Sequence, residues 1–362
     1  MSRSFGLVGL PNAGKSTVFN ALTAGGARVE AYPFCTIDPH RGMAGVPDER
    51  LDQLHSLYPE KRKVPTTIEV VDIAGLVAGA AQGEGLGNQF LAEIRGCDAI
   101  LHVVRCFGDE EVPHPTGAVD VNRDVEMVET ELLLKDLETL DRRKGRTAKV
   151  ARTGDRAARA ELEALERLIE AVKAETPLRE LSLSQAEHAQ LKDLSPLTAK
   201  PVLYIANLGE KGENGHLQTL RSLAEGKGAP WIAVRGRLEA EVAEAAQGQE
   251  ERVAFLEEWG IQRSALERLL QAAYRLLNLV TFYTVEGPEV RAWTVVQGTR
   301  APDAGGEIHG DFRDRFVLAE VMDPEALLSA GTERELRDAG QITRAGRDYV
   351  VQDGDVIHFI CA

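Results

Sequence analysis

The 362-residue sequence predicts an α/β protein: a sheet-and-helix domain split by a helical insertion and followed by a small β-rich domain. Three observations carry that prediction. Short β-rich runs alternate with helical stretches through the first hundred residues, and the same style returns at 201–206 and 231–234. The segment between carries leucines and valines at helical spacing. After Leu277 the pattern changes again, to short strands separated by turns.

Taken in chain order, Phe5–Leu10 reads as a buried strand, Lys15–Thr23 as a helix, and Thr67–Ile73 and Ala99–Cys106 as further strands. Strands separated by helices predict a parallel sheet with helices on its faces. In the insertion, Val125, Val128, Leu132, Leu133, Leu137 and Leu140 form one helical stripe and Leu162, Leu165, Leu168, Ile169 and Val172 a second. Gly145 and Gly154 mark a break between them, which predicts an antiparallel helical hairpin. Its tip is basic: residues 141–159 hold eight Arg or Lys against Asp141 and Asp155. Past 277, strands are expected at Thr281–Val285, Ala292–Val296, Phe316–Val321, Tyr349–Val351 and Val356–Ile360, the last two joined by a hairpin turn at 352–355. The domain boundaries that follow are 1–122 with 197–277, then 123–196, then 278–362.

Composition narrows the function. Forty-two basic residues against 57 acidic ones leave a net charge of −15, so a protein that coats DNA or RNA with its whole surface is excluded. The basic hairpin tip remains as a local site for RNA. Apolar runs such as Ala99–Val104 are too short to cross a bilayer, and the first residues lack a signal peptide's apolar stretch, so a cytoplasmic protein is expected. The four cysteines (Cys35, Cys97, Cys106, Cys361) are scattered and read as free thiols.

The chemistry begins at Gly9-Leu10-Pro11-Asn12-Ala13-Gly14-Lys15-Ser16, a full G-x-x-x-x-G-K-[ST] lying between a strand and a helix. Backbone N–H groups of such a loop converge on phosphate oxygens, and the helix N-terminus adds positive potential. Gly9, Asn12, Ala13, Gly14, Lys15, Ser16 and Thr17 are therefore the expected phosphate-binding set. Lys15 is expected to reach the β- and γ-phosphates and Ser16 to ligate Mg²⁺. Asp72-Ile73-Ala74-Gly75 closes the strand at 67–73, with the Asp72 carboxylate expected near Mg²⁺ and the Gly75 amide near the γ-phosphate. Thr36, between the two motifs, is expected to complete the Mg²⁺ shell. The glycine-rich stretch 79–88 reads as a switch loop.

Guanine-reading proteins of this architecture carry [NT]-K-x-D after a later strand. Here that place holds Asn207-Leu208-Gly209-Glu210. Adenine offers an acceptor at N1 and no 2-amino group, so a carboxylate aimed there gains nothing. The sequence therefore points to ATP, with Asn207 addressing the adenine edge or bracing the phosphate loop, Leu208 covering the base, and Glu210 at the same site. Leu76 stands where Ras-type proteins place the glutamine that orients water. His114, in a proline-flanked loop, is the local candidate to orient or deprotonate that water.

These residues together resemble the Obg-like ATPase family, in its bacterial YchF branch. The resemblance spans essentially the whole chain. It rests on the phosphate loop, Tyr32-Pro33-Phe34-Cys35-Thr36-Ile37, Val71-Asp72-Ile73-Ala74-Gly75-Leu76-Val77, Gly83-Glu84-Gly85-Leu86-Gly87-Asn88-Gln89-Phe90, His102-Val103-Val104-Arg105-Cys106-Phe107, Tyr204-Ile205-Ala206-Asn207, Arg291-Ala292-Trp293-Thr294 and 348–355. It implies a GTPase-like P-loop domain interrupted by a coiled-coil hairpin and followed by a TGS domain, a small β-grasp-like module. It also implies ATP preference, slow hydrolysis and association with ribosomes, with His114 matching the family's mobile-loop histidine. Leu208-Gly209 and 232–236 vary from the family's usual base site. The expected function is a Mg²⁺-dependent ATPase switch on the translation machinery. A translational GTPase, an adaptor that binds nucleotide without turnover, and a metabolic ATP-dependent enzyme are the alternatives; no second catalytic cluster supports the last.

Overall fold

The computed structural model describes residues 3–23, 41–73, 93–108, 112–210, 212, 214–246 and 249–362. The amino-terminal part supplies β1 (Arg3–Val8), α1 (Lys15–Thr23), β2 (Arg41–Gly45), α2 (Glu49–Ser56), β3 (Arg62–Val64), β4 (Thr67–Asp72) and β5 (Ala99–Arg105). After the insertion come β6 (Val202–Asn207) and β7 (Trp231–Val234). Six of these strands form one sheet in the order β2-β4-β1-β5-β6-β7, parallel throughout except for β2, which runs antiparallel to β4. Every residue of central β5 is buried, as expected for a parallel strand covered on both faces.

Alternating side chains of these strands build two separate cores. On one face Phe5, Leu7, Leu101, Val103 and Ile205 pack with Val18 and Leu22 of α1 and with Leu269 and Ala273 of a later helix. On the other, Val8, Val71, Val104 and Tyr204 pack with Val125, Val128 and Leu132 of the insertion and with Leu217 and Leu220.

The insertion is two packed helices, α3 (Val121–Ala151) and α4 (Arg156–Lys173), followed by a short 3₁₀ turn and α5 (Gln185–Leu194). Asp120 caps α3 by accepting from Arg123 N, and Asp155 caps α4 by accepting from Ala158 N. Leu133 and Leu140 of α3 meet Leu165, Leu168, Ile169 and Val172 of α4. The break falls only at 152–155: α3 runs straight through Gly145, contrary to the sequence expectation. An isolated glycine costs a helix about 1 kcal/mol, which neighbouring turns packed against α4 offset. At the hairpin's base, buried Asp136 accepts from Leu197 N, Thr198 N and the Thr198 hydroxyl, fixing where the chain returns to the sheet. Glu129 binds Arg179, Lys227 and the Tyr204 hydroxyl, tying α3 to β6.

Between β6 and β7 lies α6 (Gly215–Gly226), and α7 (Gly236–Ala245), α8 (Gln249–Glu258) and α9 (Ala265–Leu276) follow. The carboxy-terminal module contributes β8 (Leu279–Thr284), β9 (Glu289–Val296), α10 (Ala301–Ile308), α11 (Gly310–Asp314), β10 (Phe316–Met322), α12 (Pro324–Ala330), α13 (Glu333–Asp338), β11 (Thr343–Ala345) and β12 (Val356–Cys361). Its sheet runs β11-β10-β12-β8-β9-β3. The outermost strand, β3, comes from the amino-terminal part and pairs in parallel with β9. With it travels α2, whose Leu51 and Leu54 pack under Tyr283, Val285 and Met322. Residues 49–64, which the sequence places in the nucleotide domain, thus complete the second module's core. Tyr349–Val351 is not a strand: Val350 makes one isolated bridge to Arg300, and 352–355 is a turn closed by Asp355 rather than a hairpin.

Cys97 and Cys106 are buried free thiols, which burial pushes up to about 11 and about 12, and Cys361 is also free. Cys35 lies outside the described residues. Among the described residues no helix is long and apolar enough to cross a membrane.

Candidate nucleotide site

β1 ends at Val8 and α1 begins at Lys15, so the glycine-rich segment turns at the carboxyl end of a central strand. That is where open α/β sheets bind ligands. Two glycines are required by the turn's geometry. Gly9 sits at φ +155°, and a Cβ there would lie 2.3 Å from the Val103 carbonyl oxygen; Gly14 sits at φ +88°, and its Cβ would lie 2.1 Å from Asn207 Nδ2. Asn12 takes the left-handed conformation, at φ 61°.

Lys15 is buried, with Nζ donating to the carbonyls of Gly9 at 3.2 Å and Leu10 at 3.1 Å. Burial draws its pKa down, with Asp72 opposing. The Ser16 hydroxyl donates to Asp72 Oδ2 at 2.7 Å, so residues 56 positions apart meet. Both are hard oxygen donors of the kind Mg²⁺ takes, usually one or two from protein and the rest from phosphate and water. Among the described residues there is no cluster of three or more His, Cys, Asp or Glu able to hold a metal.

A cleft of about 730 Å³ opens from this point, within the range of small-ligand sites. Asn12, Gly14, Lys15, Ser16 and Thr17 line it beside Asn207, and Leu208, Gly209, Glu210, Phe107 and Arg237 complete the lining. Asn207, the last residue of β6, is almost fully buried. Its Nδ2 donates to the Ala13 carbonyl at 2.9 Å, and its Oδ1 accepts from Gly236 N at 3.2 Å. Of the two roles open to it, the geometry supports the brace: the side chain locks the phosphate loop to the start of α7. Leu208 is buried at the cleft wall and Glu210 is exposed at its rim.

Phe107 and Arg237 were missed by sequence reasoning. Phe107 packs beneath Gly209, where a Cβ would come within 3.1 Å of its own, and Arg105 stacks on its ring at 4.5 Å. Arg237 pairs with Glu241 one turn along α7, at 3.0 Å. An aromatic directly after β5 and an Arg after β7 are positional signals, but only the folded cleft brings them to Leu208.

His114 is not brought into the cleft. Its Nε2 lies 3.0 Å from Asp124 Oδ2 with both side chains buried, and its Nδ1 is 3.0 Å from the Thr116 hydroxyl. The loop nevertheless touches the phosphate loop, since Asn12 Nδ2 donates to the Pro113 carbonyl at 3.0 Å. Thr36, Gly75, Leu76 and the stretch 79–88 lie outside the described residues.

A Walker-type loop between β1 and α1, its Ser hydroxyl meeting the carboxylate that ends β4, defines a P-loop nucleotide-binding protein of GTPase type. Comparison with known proteins agrees. Residues 4–140 match the family model described as 50S ribosome-binding GTPase, and 279–361 match the YchF-GTPase carboxy-terminal model, described as a protein of unknown function. The chain is 46% identical to the ribosome-binding ATPase YchF of Bacillus subtilis over 99% of both chains. It is 39% identical to Obg-like ATPase 1 of Caenorhabditis elegans, over 98% of this chain and 91% of that protein. The solved structure of the Schizosaccharomyces pombe YchF GTPase matches with a TM-score of 0.87 at 35% identity, over 99% and 98% of the two chains. The chain belongs to the YchF family of Obg-like P-loop proteins.

Proposed function

We propose that the protein is a slow Mg²⁺-dependent ATPase that works as a nucleotide-driven switch on the ribosome; its relatives are named ribosome-binding ATPases. The carrying observation is one cleft lined by the phosphate loop and Lys15, with Ser16 against Asp72, whose base-reading segment lacks the guanine-reading Lys and Asp. Lys15, once its ammonium exchanges the loop carbonyls for phosphate oxygens, stabilises the charge that develops in phosphoryl transfer. Ser16 and Asp72 would hold Mg²⁺, which supplies charge neutralisation to the β- and γ-phosphates. Thr36 is assigned as a further ligand, and the Gly75 amide as a donor to the γ-phosphate. At the other end, Leu208, Phe107 and the Arg237 guanidinium offer apolar and planar surface to a purine. His114 is assigned the attacking water, replacing the glutamine absent at Leu76.

The hairpin is assigned as a coiled-coil arm for ribosomal RNA and the carboxy-terminal module as a TGS domain. Around the tip, Arg142, Arg146, Lys149, Arg152, Arg156 and Arg159 are exposed, while Arg143 and Lys144 pair with Glu161 and Glu166 of α4. Exposed arginines on a thin arm suit an RNA backbone. The test combines phosphate release from ATP, with Mg²⁺ and with EDTA, and co-sedimentation with ribosomes across a salt series. Mg²⁺-dependent hydrolysis and a binding slope that flattens in an R142A/R146A/R152A variant support the reading. Hydrolysis without Mg²⁺, or an unchanged slope, contradicts it.

A further inference from the structure

His114 is the residue assigned to the attacking water, yet its ring is turned to the hairpin rather than the cleft. We propose that Asp124, in the first turn of α3, holds His114 out of the cleft, so that the arm that meets the ribosome also withholds the hydrolytic residue. The inference rests on the ATPase reading above and adds to it a positioning residue.

The geometry is specific. Nε2 of His114 lies 3.0 Å from Asp124 Oδ2, and the side chains are 4% and 5% exposed. Asp124 Oδ1 accepts from Arg123 Nε at 3.3 Å and from its terminal nitrogen at 3.2 Å, whereas Oδ2 makes no hydrogen bond among the described residues. The buried carboxylate oxygen lies against the Nε2 edge of the imidazole, so that edge points to the hairpin and away from the cleft. Nδ1 in turn accepts from Thr116 N at 3.3 Å and contacts the Thr116 hydroxyl. One ring nitrogen therefore faces Asp124 at 3.0 Å, turned to the hairpin, and the other is occupied by Thr116. Neither presents a lone pair to water, which a general base must do at about 2.6–3.2 Å.

The backbone around the ring is already at the site. Asn12 holds the Pro113 carbonyl and Arg105 holds that of Val112, at 2.9 Å, and Val112 lines the cleft. On the other side Arg123 holds the Ala118 carbonyl, tying the loop to the first turn of α3. Freeing His114 thus needs side-chain rotation and loss of the single His114–Asp124 contact, not movement of the whole loop. Asp124 lies on the same 31-residue helix as Arg142 and Arg146, and two turns before the helix enters its packing with α4. A ribosome that displaces the arm biases the His114–Asp124 contact directly.

The alternative is that Asp124 orients a catalytically competent histidine, as carboxylates do in hydrolase triads. The two roles predict opposite signs. Phosphate release at saturating Mg²⁺ATP would be compared for wild type, D124A, D124N, H114A and H114A/D124A, with and without ribosomes, beside melting curves and affinity for a non-hydrolysable ATP analogue. D124N keeps the side chain's shape and an acceptor for Arg123, and so separates loss of the latch from loss of fold. The latch predicts kcat raised roughly tenfold in D124A and D124N, less than the roughly 10²–10⁴-fold that acid–base catalysis contributes in full. It also predicts unchanged analogue affinity, a smaller stimulation by ribosomes, and no gain in H114A/D124A. A kcat unchanged or lowered in folded D124N overturns it. Wild-type protein that does not hydrolyse ATP, or H114A as active as wild type, overturns the ATPase reading or the role of His114 instead.

Discussion

The two ends of the cleft are built on different principles. The phosphate end is made of backbone: Gly9 and Gly14 hold conformations and approach distances that a Cβ would forbid, and Lys15 and Ser16 open a helix whose start is fixed by that turn. The base end is made of side chains brought from four places, at 107, 208–210, 214 and 237. Where the backbone sets the chemistry, the residue choices are narrow and a short motif declares them. Where side chains do, substitutions change the ligand without disturbing the fold, and this chain has used that freedom.

Several substitutions would break or sharpen that contrast. The largest effect is expected from Lys15→Ala, which removes the only ammonium at the phosphate end of the cleft among the described residues. A charged hydrogen bond worth about 3 kcal/mol predicts roughly a hundredfold loss of ATP affinity, read by calorimetry, with GTP and inorganic tripolyphosphate losing as much. Next is Asn207→Ala. It leaves the Ala13 carbonyl and the Gly236 amide buried without their partner, so melting temperature falls and affinity drops by about tenfold for both nucleotides. A change that fell on ATP alone would return Asn207 to base reading.

A smaller shift is expected from the double change Leu208→Lys with Glu210→Asp, which restores the guanine-reading pattern. Competition between the two nucleotides should move toward GTP by about tenfold, one hydrogen-bonded contact's worth, while tripolyphosphate binding stays as it was. The smallest belongs to Arg237→Ala. Loss of a guanidinium face over a purine predicts roughly threefold weaker binding of ATP and of GTP alike, with tripolyphosphate again unaffected.

The same contrast governs how much could be read from the sequence. Helix α1 and strand β7 fall where periodicity and the glycine motif put them, whereas β1 runs Arg3–Val8, two residues ahead of the expected Phe5–Leu10, because the phosphate loop takes Gly9 and Leu10 out of the strand. The Ser16–Asp72 contact follows from two motifs with a known mutual geometry. What escaped was non-local. Strand β3 is three residues long, and its partner β9 lies more than 220 positions away, so nothing in Arg62–Val64 announces the second sheet. Tyr349–Val351 has strand-like residues, but Tyr349 is spent on Asp355 and on a turn. Gly145 looked like a helix end because its intrinsic cost is visible in sequence while the packing that outweighs it is not. His114 stood out as an unusual loop residue; that its ring faces Asp124 is a fact of tertiary structure only.

The central claim, that one cleft joins a backbone-built triphosphate end to a base end suited to adenine, is tested most directly by calorimetry. ATP and GTP analogues and tripolyphosphate would be titrated into nucleotide-free protein with Mg²⁺. The account predicts that the ATP analogue binds at least about tenfold more tightly than either of the others, since only adenine gains from Leu208, Phe107 and Arg237 without an unmet donor. A GTP analogue bound as tightly as ATP would mean that Asn207–Glu210 reads guanine. Tripolyphosphate bound as tightly as both would mean that the base end reads nothing.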